Sequence, residues 1–139
     1  MRALSSRRVS ERSDLEGRLV AARERGTLRI TTRGRRTGRP HTVPVWFAVE
    51  GDVVYLATLN AERDWVRNAG RTPEVGLDLG DFKLNGRVQE ITDRSLDAHA
   101  RQLMAQKYWV AWLGAWIGLG PDRTFRVADL GFAPSSGGA

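Results

Sequence analysis

The 139-residue chain carries 22 lysines and arginines against 16 acidic residues and no cysteine, which excludes disulfides, thiolate metal sites, iron–sulfur clusters and cysteine nucleophiles. Hydrophobic residues make up 41% of it, enough for one modest core but not for two. The positive charge is concentrated at the start: residues 1–39 hold twelve arginines and four acids, the remainder ten basic and twelve acidic groups. Such a field suits nucleic acid, an anionic lipid surface or an anionic cofactor.

Met1–Ser10 contains arginines but no apolar run, so no signal peptide is expected, and the missing cysteines agree with a cytoplasmic location. Residues 1–12 read as a flexible basic tail, 13–132 as the folded domain and 133–139 as a second flexible tail. Ser13 and Glu16 form a capping-box pattern that predicts a helix from about Asp14 to Arg25, with Leu15, Leu19 and Ala22 on one face and Gly26 ending it. Thr27–Thr32 alternates and reads as a strand, followed by a turn over Arg33–His41. In the next strand, Thr42–Glu50, Val43, Val45, Phe47 and Val49 share one face, and Pro44, Trp46 and Ala48 the other. Pro44 predicts an edge or an unpaired amide position.

Gly51–Asp52 closes a hairpin to a strand at Val53–Thr58. A short helix is expected at 61–69, then strands at Glu74–Leu79 and Phe82–Ile91, the second carrying Gly86 where a bulge or barrel corner is expected. A long helix from about Arg94 to Trp116 and a strand at Thr124–Leu130 complete the chain. Short hairpin links with one inserted helix favour a small antiparallel barrel, because parallel strands need long crossovers.

The turn reads RGRRTGRPH. Its glycines allow a tight turn, and Arg35, Arg36 and Arg39 offer forked donors to phosphate oxygens, with Thr37 adding a hydroxyl. The order is neither that of a Walker loop nor of a GxGxxG fingerprint. On chemistry alone the loop is an anion site or a solvated basic turn. His41 ends it and could donate to a phosphate. His41 and His99 are the only histidines and lack metal-ligand spacing, so no metal is expected. No paired carboxylates or nucleophile elbow stand out. The apolar run YWVAWLGAWIGLG is too short to span a bilayer. Trp109, Trp112 and Trp116 recur at helical spacing, which suits a dimer core, a pocket wall or a membrane-surface contact.

The stretch LRITTRGRRTGRPHTVPVWFAVEGDVVYLAT, followed by DWVRNAGRTPEVGL, resembles the deazaflavin-dependent nitroreductase family, flavin/deazaflavin oxidoreductases related to pyridoxamine 5'-phosphate oxidase. The matching positions include Thr31, Thr32, Gly34, Arg35, Arg36, Thr37, Gly38, Arg39, Pro44, Gly51, Asp52, Tyr55, Trp65, Asn68 and Pro73–Val75. The resemblance implies a mainly β protein with flanking helices, a split β-barrel of FMN-binding type, often dimeric. It further implies a groove for the deazaflavin coenzyme F-420 (8-hydroxy-5-deazaflavin). Arg35, Arg36 and Thr37 would hold the phosphate region within a loop that includes Gly38 and Arg39. Ala57, Thr58 and Leu59 would line the ring, and Pro44, Trp46, Trp65 and Asn68 would shape the site. Relatives carry a basic residue after the Tyr-containing strand where this chain reads Leu59-Asn60-Ala61, which leaves FMN as the alternative cofactor.

The implied activity is hydride transfer between the cofactor and a planar electron-poor substrate such as a quinone, enone or nitroaromatic, with a proton from solvent, Tyr55 or Tyr108. A non-enzymatic cofactor carrier and a basic nucleic-acid-binding barrel are the rivals. The latter needs exposed aromatics beside the arginines, so no nucleic acid is expected.

Overall fold

Apolar and polar residues alternate along six short segments, and in the computed structural model these segments close on themselves. The structure describes residues 2–58, 60, 62–112 and 122–133. Helix α1 (Arg2–Ala22) leads into β1 (Leu28–Arg33), β2 (Pro40–Glu50) and β3 (Val53–Thr58). After α2 (Asp64–Arg71) come β4 (Glu74–Asp78) and β5 (Lys83–Glu90), then α3 (Arg94–Trp112) and β6 (Arg123–Phe132). All pairings are antiparallel, and the strands close in the order β1-β2-β3-β6-β5-β4, with β4 returning to β1. This is the barrel with flanking helices that the sequence predicts.

The alternation in β2 and β3 sorts two layers. Val45, Phe47, Val54 and Leu56 point inward with Leu28, Ile30, Leu77, Leu84 and Val127. Leu15 and Leu19 of α1, and Trp65 and Ala69 of α2, join the same core. On the outer face Ala48, Tyr55 and Ala57 are covered by Ala100, Met104 and Tyr108 of α3. A clasp fixes α3 to β6: the Thr124 hydroxyl donates to Asp97 at 2.5 Å, and Arg101 Nε donates to both oxygens of the same carboxylate.

Two expectations move. Helix α1 starts at Arg2, upstream of the expected start at Asp14, so residues 2–12 have helical backbone. A capping-box pattern is tolerated inside a helix when the chain before it also winds. Helix α3 includes a non-helical residue, Tyr108, at φ −112° and ψ 20°. The proposed Trp109–Trp112–Trp116 face lies largely outside the described residues. Gly86 sits at the predicted bulge, where the β5–β6 register shifts between Asn85 and Arg87. Among the described residues, no helix is long and apolar enough to cross a membrane, and no cluster of metal-ligating side chains occurs.

Candidate functional site

Strand β2 outruns its neighbour β3. Its last pair toward β3 is Trp46 with Ala57, whereas residues 40–45 pair only with β1. Pro44 lies in this one-sided stretch, where a missing amide leaves no ladder bond unmade. Between the free edge, the end of β3 and the start of α2 lies a groove of about 660 Å³. Pro44, Trp46, Ala57, Thr58 and Trp65 line it, joined by Thr27, Val43, Val45, Glu62, Arg63 and Asp64.

Each wall is held by identifiable contacts. The Thr58 hydroxyl donates to the Asn60 carbonyl at 2.9 Å and accepts the Asn60 amide at 3.2 Å, tying the end of β3 to Asn60. Trp65 is buried and packs edge-on against Phe125, with ring centroids 5.1 Å apart. Trp46 is half-buried and stacks on Tyr108 at 5.3 Å with an interplanar angle of 20°.

A second, polar pocket of about 210 Å³ is lined by Gly34, Arg35, Arg36, Thr37, His41, Asp64 and Asn68. Asp64 lines both pockets. The arginine loop is closed by Gly34 N–H to Arg39 O at 2.7 Å and Gly38 N–H to Gly34 O at 2.8 Å. Gly38 has φ +73°, a conformation that disfavours other residues.

The arginines in this loop do different things. Arg35 donates through its amide (3.2 Å) and Nη1 (2.9 Å) to Asn68 Oδ1, and through Nη2 to Asp64 at 3.2 Å. Asn68 is only 2% exposed and donates onward to the Thr32 hydroxyl at 3.3 Å. Arg35 is therefore a bracket between the loop and α2 rather than one more arginine of a solvated basic turn. Arg36 is exposed, and among the described residues no hydrogen bond or ion pair engages it.

The twelve residues expected to bind cofactor thus fall into groups. Pro44, Trp46, Ala57, Thr58 and Trp65 share the larger groove; Arg35, Arg36, Thr37 and Asn68 share the polar pocket. Gly38 lines a separate cleft with Thr31, Thr32 and Pro40, and Arg39 lines none of these. Leu59 lies outside the described residues. Sequence reasoning missed Thr27, Val43, Val45, Glu62, Arg63 and Asp64, which it placed within predicted strands and a predicted helix with no ligand signal of their own. His41 does line the polar pocket.

Neither candidate proton donor opens onto the groove. Tyr55 lies on the outer face, its ring edge-on to His99 at 6.2 Å, and burial with the nearby Glu50 carboxylate pushes its phenol up. Burial also raises Tyr108, partly offset by its hydrogen bond to the Phe47 backbone. His99 is occupied at the surface by Glu50, with its Nε2 at 2.7 and 2.9 Å from the carboxylate oxygens.

A family model described as pyridoxamine 5'-phosphate oxidase matches residues 16–128. No curated protein matches the sequence. Among solved structures, a reductase dependent on reduced coenzyme F-420 is 21% identical with a TM-score of 0.57, over 74% of this chain and 94% of that one. A chain described as a domain-swapped dimer is 21% identical with a TM-score of 0.58, over 74% and 80% of the two chains. A heme binding protein from Mycobacterium smegmatis is 16% identical with a TM-score of 0.60, over 81% of this chain and 49% of its own. At these identities the likeness is one of fold.

Proposed function

Because the chain belongs to the pyridoxamine 5'-phosphate oxidase family, we propose that it is an oxidoreductase whose groove takes a phosphorylated flavin-type cofactor, coenzyme F-420 first and FMN second. The observation that carries this reading is the meeting, at Asp64, of an aromatic-walled groove and a pocket rimmed by the Arg36 guanidinium, which no described residue engages.

The donor chemistry fits such a group. Arg36, His41 and the Thr37 hydroxyl converge on the polar pocket and suit an anionic tail. Trp46, Ala57 and Thr58 offer a flat surface to a ring system. Asp64 is ion-paired with Arg35, and Glu62 lies 4.0 Å from Arg67, so both carboxylates beside the groove have cationic neighbours. When bound, the cofactor supplies the hydride that reduces a planar electron-poor substrate such as a quinone, enone or nitroaromatic. The chain's own part is to hold the tail, orient the ring against Trp46 and shield one side of it with Pro44 and Trp65. Since neither tyrosine lines the groove, solvent is the proton source in this reading.

The reductase neighbour supports coenzyme F-420, and the family description supports a flavin. The nucleic-acid rival loses ground because Tyr55 is buried and Trp46 half-buried. The dimeric neighbour supports a homodimer, for which light scattering should return twice the chain mass.

Titration of coenzyme F-420 and FMN, followed by tryptophan fluorescence, tests the proposal. Trp46 and Trp65 line the groove, so a bound ring should quench them. Tighter coenzyme F-420 binding is expected; tighter FMN binding selects the second reading, and binding of neither overturns both. Turnover of the reduced coenzyme with a quinone and nitroaromatic panel separates an enzyme from a carrier.

A further inference from the structure

The β1–β2 ladder stops at Leu28 opposite Val45. Continued in the same register, Thr27 would face Trp46 and Gly26 would face Phe47. Neither pairing forms. At the Gly26–Phe47 position the phenol of Tyr108 stands between the two backbones: it donates to Gly26 O at 2.6 Å and accepts the Phe47 amide at 3.2 Å. Phe47 O lies 3.0 Å from the same hydroxyl and accepts Lys107 Nζ at 2.9 Å. Side chains from α3 have thus taken the peptide groups that a strand would otherwise use.

The consequence falls on the groove. Thr27 and Trp46, neighbours of the two peptides held apart, both line it. The Tyr108 ring also stacks on the back of Trp46. The departure of Tyr108 from helical backbone, at φ −112° and ψ 20°, accompanies this placement.

We infer that Tyr108 is a positioning residue of the groove: its hydroxyl holds β1 and β2 open between Gly26 and Phe47, and its ring sets the Trp46 wall on which a flat ligand stacks. The ligand half of this inference rests on the function proposed above; the geometric half does not. Removing the hydroxyl leaves two partnerless peptide groups whose remedy is a direct Phe47 N–H to Gly26 O bond. That bond would draw Thr27 and Trp46 together and narrow the groove.

The test is Tyr108→Phe, read by nitrogen-15 NMR of the Trp46 indole (assigned by Trp46→Phe) and by titration with riboflavin and FMN. The Trp46 indole resonance should move and the Phe47 amide should change its exchange rate. Both flavins should lose about two- to tenfold in affinity, the scale of one hydrogen bond. The loss should be equal for the two, since riboflavin lacks the phosphate that the Arg36 pocket would read. An unmoved Trp46 indole with an unchanged Phe47 amide overturns the inference, as does a loss confined to FMN. Should neither flavin bind the unsubstituted protein, the function proposed for FMN falls while the indole and amide still decide the role of Tyr108. If Tyr108→Phe does not fold, 3-fluorotyrosine in a Tyr55→Phe background perturbs the same hydroxyl while keeping it. A Trp46 indole unmoved by that label also overturns the inference.

Discussion

Arg36 and Arg35 are adjacent, identical in charge and line the same pocket, yet their replacement by alanine should have opposite signatures. Arg36 is exposed and makes no hydrogen bond or ion pair with a described residue. Arg36→Ala should leave the urea midpoint unchanged while weakening FMN or coenzyme F-420 binding. One charge-assisted hydrogen bond to phosphate contributes about 1.5–3 kcal/mol, or roughly ten- to hundredfold in affinity. Arg35→Ala should lower stability even without ligand. It removes the 2.9 Å bond to Asn68 Oδ1, although the Arg35 amide at 3.2 Å still satisfies that oxygen. It also removes the pair with Asp64, a side chain that is 83% exposed and therefore adds little. The expected cost is about 1–2 kcal/mol of unfolding free energy. Fluorescence titration at two salt concentrations and urea unfolding of the apoprotein measure both quantities. Arg8→Ala removes the same charge from α1 and is the control. If Arg36→Ala and Arg8→Ala lose equal, small amounts of affinity that salt abolishes, the field of the basic N-terminal third is responsible and the pocket assignment is wrong.

Other expectations follow from packing and charge. At Gly86 an added methyl would run into Val127 Cγ1 and approach the Ala128 carbonyl at 3.2 Å, so Gly86→Ala should destabilise by about 1–3 kcal/mol in urea unfolding. Gly17→Ala, where nothing lies within 4 Å in α1, should instead stabilise by about 0.5–1 kcal/mol. Burial lowers the Lys107 ammonium to about 8, against a smaller upward pull from Glu24. The unfolded chain then binds more protons between pH 8 and the ordinary lysine value of 10.5, so this group's contribution to stability rises with pH across that window. Lys107→Met should flatten that rise in pH-dependent unfolding. Burial tends to raise Asp97, but the Thr124 hydroxyl and the Arg101 guanidinium outweigh it and hold the carboxyl below its usual value of 3.8. Its contribution is therefore present above pH 3.8 and fades below it. Asp97→Asn should lose part of the acid sensitivity that an unfolding series below pH 5 records.

The strands were legible because burial in a barrel imposes a two-residue period, and Val45, Phe47, Ala48, Leu56 and Ala57 keep it on both layers. Pro44 and Gly86 were legible for a sharper reason: each is a residue with one backbone property, and the structure uses that property at each position. The start of α1 was not, since a capping pattern at Ser13 and Glu16 describes a local option that upstream helix overrides. The split between Arg35 and Arg36 was also hidden. Which arginine turns inward depends on Asn68, 33 residues away in sequence, and no local pattern encodes that distance. Gly38 and Arg39 read as equal members of the loop, but the turn at Gly38 carries them away from the polar pocket. The role of Tyr108 depends on where β1 stops, a fact of pairing rather than of composition.

The strand order has a consequence for how the molecule comes into being. The last strand, β6, lies between β3 and β5 and pairs with both. Until a ribosome has delivered residues up to Phe132, the earlier strands can form at best an open sheet in the order β3-β2-β1-β4-β5, with bare edges on β3 and β5. Open edges recruit strands from other chains, and long-range closure is the slow kind of step in folding. Synthesis therefore holds the chain in its most adhesive form until the closing strand arrives. A truncation before Arg123 would make that state permanent, turning a barrel into a sheet that seeks its sixth strand from a neighbour.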